Sequence, residues 1–316
     1  MTLKRMNVKS KAIKKQKMIE TIQRFNSKLR IKVTDRCNMH CWFCHAEGAP
    51  ESEDLVVNEI LEQALREMHN VFQHAHITGG EPLLYDDIGV LLDMLSNYGY
   101  NVALTSNGCF SLDFKTIEIV KRLEYLNISF HSLRGEYYSA LTHSDAGEKI
   151  VSQIANNILT LSKILPVRIN TVVSGDGKGQ YLDEMVHFSE EVGCELKLVP
   201  ELKTKALSLS EIESLLNRNH FKKFQTISIS PGSNIRDRYR NQNGAVIEVK
   251  KLAPFFPNSI CSGCLELDSC NEGFSFFRIG GNPLYCQACI KHPPVPYQDF
   301  MDTQWNILKS EYINIK

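Results

Sequence analysis

From Leu29 to Val199, short apolar runs alternate with longer amphipathic stretches. That rhythm predicts successive β/α units around a parallel sheet. Leu29 to Val33, Ala75 to Thr78, Asn101 to Thr105, Leu126 to Phe130, Pro166 to Val173 and Glu195 to Val199 read as strands. Between them, Asn58 to Phe72 places Ile60, Leu61, Ala64, Leu65 and Met68 at helical spacing behind an Asn58 cap. Asp87 to Tyr98, Glu148 to Leu165, Tyr181 to Val192 and Leu207 to Leu216 repeat the pattern. Six such units predict an α/β fold, a partial (β/α)6 TIM-type barrel open on one side over residues 29–224. Beyond residue 225 the rhythm weakens while glycine, proline and aromatics increase, which predicts a small C-terminal cysteine-rich β-hairpin domain over 225–316. Ahead of the first strand, Ile13, Met18, Ile22 and Phe25 fit one face of a basic helical extension over 1–28.

Composition narrows the class. At 43% hydrophobic and 23% charged residues the chain is an ordinary globular one. Lys+Arg and Asp+Glu both number 36, so net charge makes no case for nucleic acid or membrane binding. The local exception is residues 1–30, with ten Lys or Arg against the single acid Glu20. No apolar run is long enough to cross a bilayer and no signal-peptide core opens the chain, which predicts a cytoplasmic protein. In that reducing setting the clusters among the ten cysteines read as metal ligands rather than disulfides.

Cys37, Cys41 and Cys44 follow the first strand with C-x3-C-x2-C spacing. Three soft thiolates on one short loop can close around an iron–sulfur cluster. A cubane cluster has four irons, so one iron would be left to bind something other than protein. No fourth cysteine follows before Cys109. The alternative is a zinc site completed by His40 or His45.

The cysteine loop, with Phe43 before its third cysteine, resembles the signature of radical S-adenosylmethionine (SAM) enzymes, and the Val-Thr-Asp-Arg-Cys-Asn run from Val33 is similar to that of the GTP 3′,8-cyclases. The resemblance implies a 4Fe–4S cluster whose open iron is chelated by SAM, and reductive formation of a 5′-deoxyadenosyl radical. It implies SAM contacts from Phe43, from Gly79, Gly80, Glu81 and Pro82 after the second strand, from Ser106 and Asn107 after the third, from Ser129, and from Arg168 and Asn170 on one face of the fifth. It also implies an electron donor such as flavodoxin or ferredoxin. Glycines after a strand let backbone approach a ligand, and Glu81 is placed to receive a cation. His131, at the end of the fourth strand, reads either as a core histidine or as a catalytic proton carrier. Cys109 and Cys194 read as small buried hydrophobes, with hydrogen-atom donation as the alternative role for Cys109.

A second group comprises Cys261-x2-Cys264-x5-Cys270, then Cys286 and Cys289. A hairpin from Phe274 through Gly280-Gly281-Asn282 would bring Cys270 and Cys286 together, with Cys261 or Cys264 completing a metal site. SPASM and twitch domains carry an auxiliary cluster in this region, so the resemblance implies a second 4Fe–4S cluster; a zinc ribbon pairing Cys261 and Cys264 with Cys286 and Cys289 is the alternative. Arg278 on the hairpin is a candidate anion-binding catalytic residue. The cyclase pattern is incomplete: the chain ends Glu311-Tyr-Ile-Asn-Ile-Lys in place of a glycine-rich tail, and the hairpin arginines are fewer. GTP is therefore not expected as substrate. Only 28 residues precede the first strand, too few for a separate peptide-leader domain, which favours a small metabolite or nucleotide in a biosynthetic cyclisation, bond formation or rearrangement over a ribosomal peptide. A non-catalytic zinc-ribbon nucleic-acid-binding protein is the alternative of another class.

Overall fold

The computed structural model describes residues 20–25, 28–44, 51–174, 180–201, 208–230, 234–252, 255–270 and 276–314. Its strands are β1 (Glu20–Phe25), β2 (Lys28–Lys32), β3 (His74–Thr78), β4 (Asn101–Ser106), β5 (Tyr125–Ser129), β6 (Val167–Val173), β7 (Glu195–Pro200), β8 (Lys222–Ser230), β9 (Asn234–Arg240), β10 (Val246–Leu252), β11 (Phe277–Gly280), β12 (Tyr285–Gln287) and β13 (Val295–Pro296). They form one 13-stranded sheet in the order β1-β8-β9-β10-β7-β6-β5-β4-β3-β2-β11-β12-β13. The six strands β2 to β7 are mutually parallel. They are the expected curled half-barrel.

Helices α1 (Glu59–Met68), α2 (Ile88–Asn97), α3 (Phe114–Val120), α4 (Gly135–Thr142), α5 (Gly147–Leu161), α6 (Leu182–Val192) and α7 (Leu209–Arg218) connect these strands, and α8 (Asn258–Cys261), α9 (Tyr297–Thr303) and α10 (Trp305–Asn314) follow. Local chemistry sets their ends. The Asn58 side chain accepts from Leu61 N–H to open α1, and Ser208 with Glu211 forms a capping box on α7. Period-two alternation then divides the sheet. Leu29, Ile31, Ile77, Leu104, Leu126, Ile128, Ile169 and Leu196 are fully buried in the main core, each side chain contributing about 1.5–3 kcal/mol. The polar residues between them face the barrel interior.

Both ends of the chain join the sheet. Glu20–Phe25 is a strand paired in parallel with β8, so the expected helix does not extend over Ile22 and Phe25; β pairing supplies the backbone partners of this stretch, which carries the β-branched Thr21 and Ile22. Ile13 and Met18 lie outside the described residues. The expected boundary at 224/225 falls inside β8, and β10 pairs directly with β7, so the barrel sheet continues through it. On the other edge β11 pairs in parallel with β2 and antiparallel with β12, forming the expected hairpin without Phe274, which lies outside the described residues. Phe277 stacks on Phe72 at 5.6 Å between ring centroids and lies 5.2 Å from Phe300, which bolts the hairpin to the barrel core.

Candidate active site

The cysteine loop leaves the carboxyl end of β2 and is braced by the loops after β3 and β4. Gly80 N–H donates to Thr34 O at 2.7 Å and Glu81 N–H to Arg36 O at 2.8 Å. A Cβ at Gly79 would stand 2.5 Å from Thr34 O; one at Gly80 would overlap Arg36 O and lie 2.6 Å from Asp35 O. The close backbone approach expected of this glycine pair is thus an approach to the cysteine loop itself. Glu81 is fully buried, and its carboxylate accepts from Asn107 N–H at 2.7 Å and Leu83 N–H at 3.1 Å. Burial pushes its pKa up, against these hydrogen bonds. Each oxygen thus takes one backbone N–H and braces the loop, leaving further acceptor capacity on both. Pro82, also buried, starts the short turn that follows.

Asn107 ties the third loop to the first: its side-chain nitrogen reaches Asn38 Oδ1 at 2.6 Å and Cys37 Sγ at 3.8 Å. Ser106, buried, accepts from Gly108 N–H at 3.0 Å. The Cys109 thiol turns away to Gln153 Oε1 at 3.2 Å. Cys37 and Cys41 are half-buried and Cys44 is exposed. Burial raises the pKa of Cys37, with Glu81 and Cys44 adding to it; burial, then Cys44 and Cys37, push Cys41 up to about 12. The three thiols therefore lie within electrostatic reach of one another and await a positive centre to ionise them. His40 is exposed, and His45 lies outside the described residues.

Phe43 packs edge-on against His131 at 5.1 Å. His131 is buried, and its Nδ1 accepts from Val172 N–H at 3.2 Å. Burial lowers its pKa to about 4. The catalytic proton-carrier expectation gives way to the core one: the ring is neutral near pH 7 and its Nδ1 is occupied by backbone. Ser129, at the end of β5, sits in register beside Asn170 in the middle of β6, and the buried Asn170 Oδ1 has no hydrogen-bond partner among the described residues. Arg168 lies 4.0 Å over the Tyr125 ring and 3.8 Å from Glu195.

Sequence reading missed the wall below these residues. Register places Arg278, Arg30 and His76 in one row across β11, β2 and β3, and Arg168 beside Glu195, Lys197 beside Glu248 and Glu248 beside Arg238 further along. Arg236 and Lys197 lie 3.2 Å and 3.8 Å from Glu248. Lys28 Nζ donates to Tyr125 OH at 2.8 Å. Burial, then Arg236, Arg168 and Arg30, hold the Lys28 pKa down to about 7; burial and neighbouring cations likewise lower Lys197 and His76. The interior is a cationic surface under mutual repulsion, suited to an anion. The signal available in the sequence was the Lys or Arg at every second position of several strands.

In the C-terminal region Arg278 is buried on the interior face, and burial raises the Cys289 pKa against the smaller opposing effect of the Arg278 charge. Cys286 is fully buried on the other face, in register with Ile279 and inside the hydrophobic core. Period-two alternation turns Cys286 to the core face of the hairpin, opposite the face that carries Arg278. Among the described residues no three Cys, His, Asp or Glu side chains close to the spacing of a single-ion site.

A thiol trio on the loop after the first barrel strand has the donor chemistry for an iron–sulfur cluster, and the Asn170 Oδ1, buried and without a partner among the described residues, is an acceptor open to a polar ligand. The chain belongs to the radical SAM superfamily, whose family model matches residues 31–191. Within it, the chain is similar to a "Probable GTP 3′,8-cyclase" of Sulfurisphaera tokodaii, 30% identical over 269 residues that cover 81% of this chain and 82% of the relative. A "Probable GTP 3′,8-cyclase" of Methanothermobacter marburgensis is 28% identical over 187 residues, 58% of this chain; the match spans 61% of that relative's length. Among solved structures, SuiB of Streptococcus suis bound to S-adenosylmethionine has a TM-score of 0.59 at 16% identity, covering 90% of this chain and 68% of SuiB. SuiB bound to its precursor peptide SuiA gives 0.51 at 19%, covering 65% and 49%. These two likenesses concern the fold.

Proposed function

We propose that the chain is a radical SAM enzyme acting on a small anionic metabolite or nucleotide in a biosynthetic cyclisation, bond formation or rearrangement. The observation that carries this reading is the juxtaposition of the braced thiol trio at the barrel mouth with the cationic interior wall beneath it. Bound there, a 4Fe–4S cluster with SAM supplies a 5′-deoxyadenosyl radical on one-electron reduction by a flavodoxin- or ferredoxin-type donor. The chain's own residues then do the following. Cys37, Cys41 and Cys44 hold the metal; Gly79, Gly80, Glu81 and Asn107 fix the loop that carries them; Phe43, Ser129 and Asn170 line the place for SAM. Arg30, Arg168, Lys197 and Arg278 hold the substrate's negative charge and so orient one C–H bond. A second 4Fe–4S cluster in the C-terminal region, and a cytoplasmic location, belong to the same reading. No helix among the described residues is long and apolar enough to span a membrane.

A ribosomally made peptide is the second reading, favoured by the fold shared with SuiB, which was solved with a precursor peptide; the wall would then suit an acidic peptide. The test is anaerobic reconstitution with iron and sulfide, then SAM and dithionite. 5′-Deoxyadenosine should form, and should vanish when Cys37, Cys41 or Cys44 is changed to Ala. Undiminished product in those variants would remove the site.

A further inference from the structure

Two tight turns in the C-terminal region present metal-ligating side chains to each other. In Cys261-Ser-Gly-Cys264, Cys264 N–H donates to Cys261 O at 3.1 Å, with Gly263 in the left-handed region at φ 79°. Cys289-Ile-Lys-His292 closes in the same way, His292 N–H donating to Cys289 O at 3.2 Å, while Lys291 N–H donates to the Cys289 sulfur at 3.4 Å. Gln287 Nε2 donates to His292 O at 3.1 Å and anchors the second turn to β12. The turns meet where His292 Nε2 lies 3.3 Å from Cys264 Sγ. Cys286 faces the opposite way, into the core.

We propose that His292 is a ligand of the C-terminal metal centre, joining Cys264, Cys289 and one thiol from Cys261 or Cys270 in a mixed thiolate–imidazole set around an iron–sulfur cluster, whose donors stand wider apart than those of a single ion, and that Cys286 has no metal role. The inference rests on the reading that this region holds a metal at all. C-x2-C and C-x2-H turns are spacings that thiophilic ions use, and both zinc and the irons of iron–sulfur clusters accept imidazole beside thiolate. The contact between Cys264 and His292 brings one donor from each turn to the same point, which an all-cysteine set including Cys286 cannot do without turning β12 over.

The test uses the full chain with Cys37, Cys41 and Cys44 changed to Ala, so that only the C-terminal centre reports. It is loaded anaerobically with iron and sulfide, or in parallel with zinc, and examined by metal analysis and X-ray absorption at the metal edge. The expected result is bound metal with an imidazole signature. That signature is absent in His292→Ala, which holds the metal at least about tenfold more weakly. His292→Cys should restore binding with sulfur alone, and Cys286→Ala should bind as the parent does with unchanged circular dichroism. Metal with no imidazole signature, or metal lost in folded Cys286→Ala, overturns the inference and leaves the second centre standing. No metal of either kind in the parent chain overturns both.

Discussion

Gly80→Ala tests whether the glycine pair exists to seat the cysteine loop. The added methyl overlaps Arg36 O and meets Asp35 O at 2.6 Å, where real Cβ contacts essentially never fall under 3.0 Å. Backbone carbonyls cannot rotate away as a flexible side chain would, so one of the two loops must move. The Gly80 to Thr34 and Glu81 to Arg36 hydrogen bonds then lengthen from 2.7 and 2.8 Å. Two such bonds contribute about 0.5–1.5 kcal/mol each, and overpacking costs about 1–3 kcal/mol, so the variant should lose about 2–6 kcal/mol. Gly89→Ala in α2 is the control: nothing lies within 4 Å of its added Cβ, and the chain should gain about 0.5–1 kcal/mol. Urea unfolding of the metal-free chain measures both, and iron bound per chain reports the loop. A Gly80→Ala protein as stable as its parent, with undiminished iron at the first site, would refute the packing argument.

Asn157→Ala removes donors to Gly108 O and Phe110 O, at 2.9 and 2.8 Å, from a buried site, and should cost about 2–3 kcal/mol in urea unfolding. His131 has a folded pKa of about 4, below its unfolded value, so its contribution is complete above about pH 6.5 and is lost as pH falls towards 4. His131→Asn, which keeps an acceptor for Val172 N–H, should flatten the stability–pH curve over that interval by up to about 3 kcal/mol, and formation of 5′-deoxyadenosine should persist. Pyrophosphate, as a probe of the cationic wall, should bind with proton uptake above pH 7, because an anion raises the lowered Lys28 pKa; affinity then falls as pH rises, and Arg168→Gln weakens it. Calorimetry in two buffers of different ionisation enthalpy checks this, and binding without proton uptake would exclude Lys28 from the site.

The fold was legible where one sheet face is apolar and the intervening helix is long. Strands β2 to β7 and helices α1, α2, α5, α6 and α7 lie within a few residues of the positions that alternation and helical spacing indicate. α3 escaped because seven residues burying only Ile119 and Val120 carry no period, though Asp113 caps it. β9 and β10 escaped for a different reason. Their interior-facing positions include Arg236, Arg238 and Glu248, so the runs look like a charged surface until β7 supplies an edge to extend. Charge on alternate residues marks a strand as well as alternate apolar residues do, provided something inside needs the charge.

The same physics explains which parts of the site could be read. A cysteine at fixed local spacing can reach a shared metal whatever the rest of the chain does, so Cys37, Cys41 and Cys44 could be singled out as candidates from the sequence alone. Glu81 needed the fold: whether its carboxylate points at a ligand or closes on Asn107 N–H depends on a loop 26 residues away. Cys286 turned on a single parity, since a one-residue shift of β12 would move it from the core to the barrel interior. His292 belongs to neither cysteine motif, and only the contact with Cys264 links it to one 28 residues earlier. In this chain candidate metal ligands that lie close together in sequence are legible from spacing, whereas a contact between two distant turns, such as Cys264 with His292, is set by the fold, which spacing does not encode.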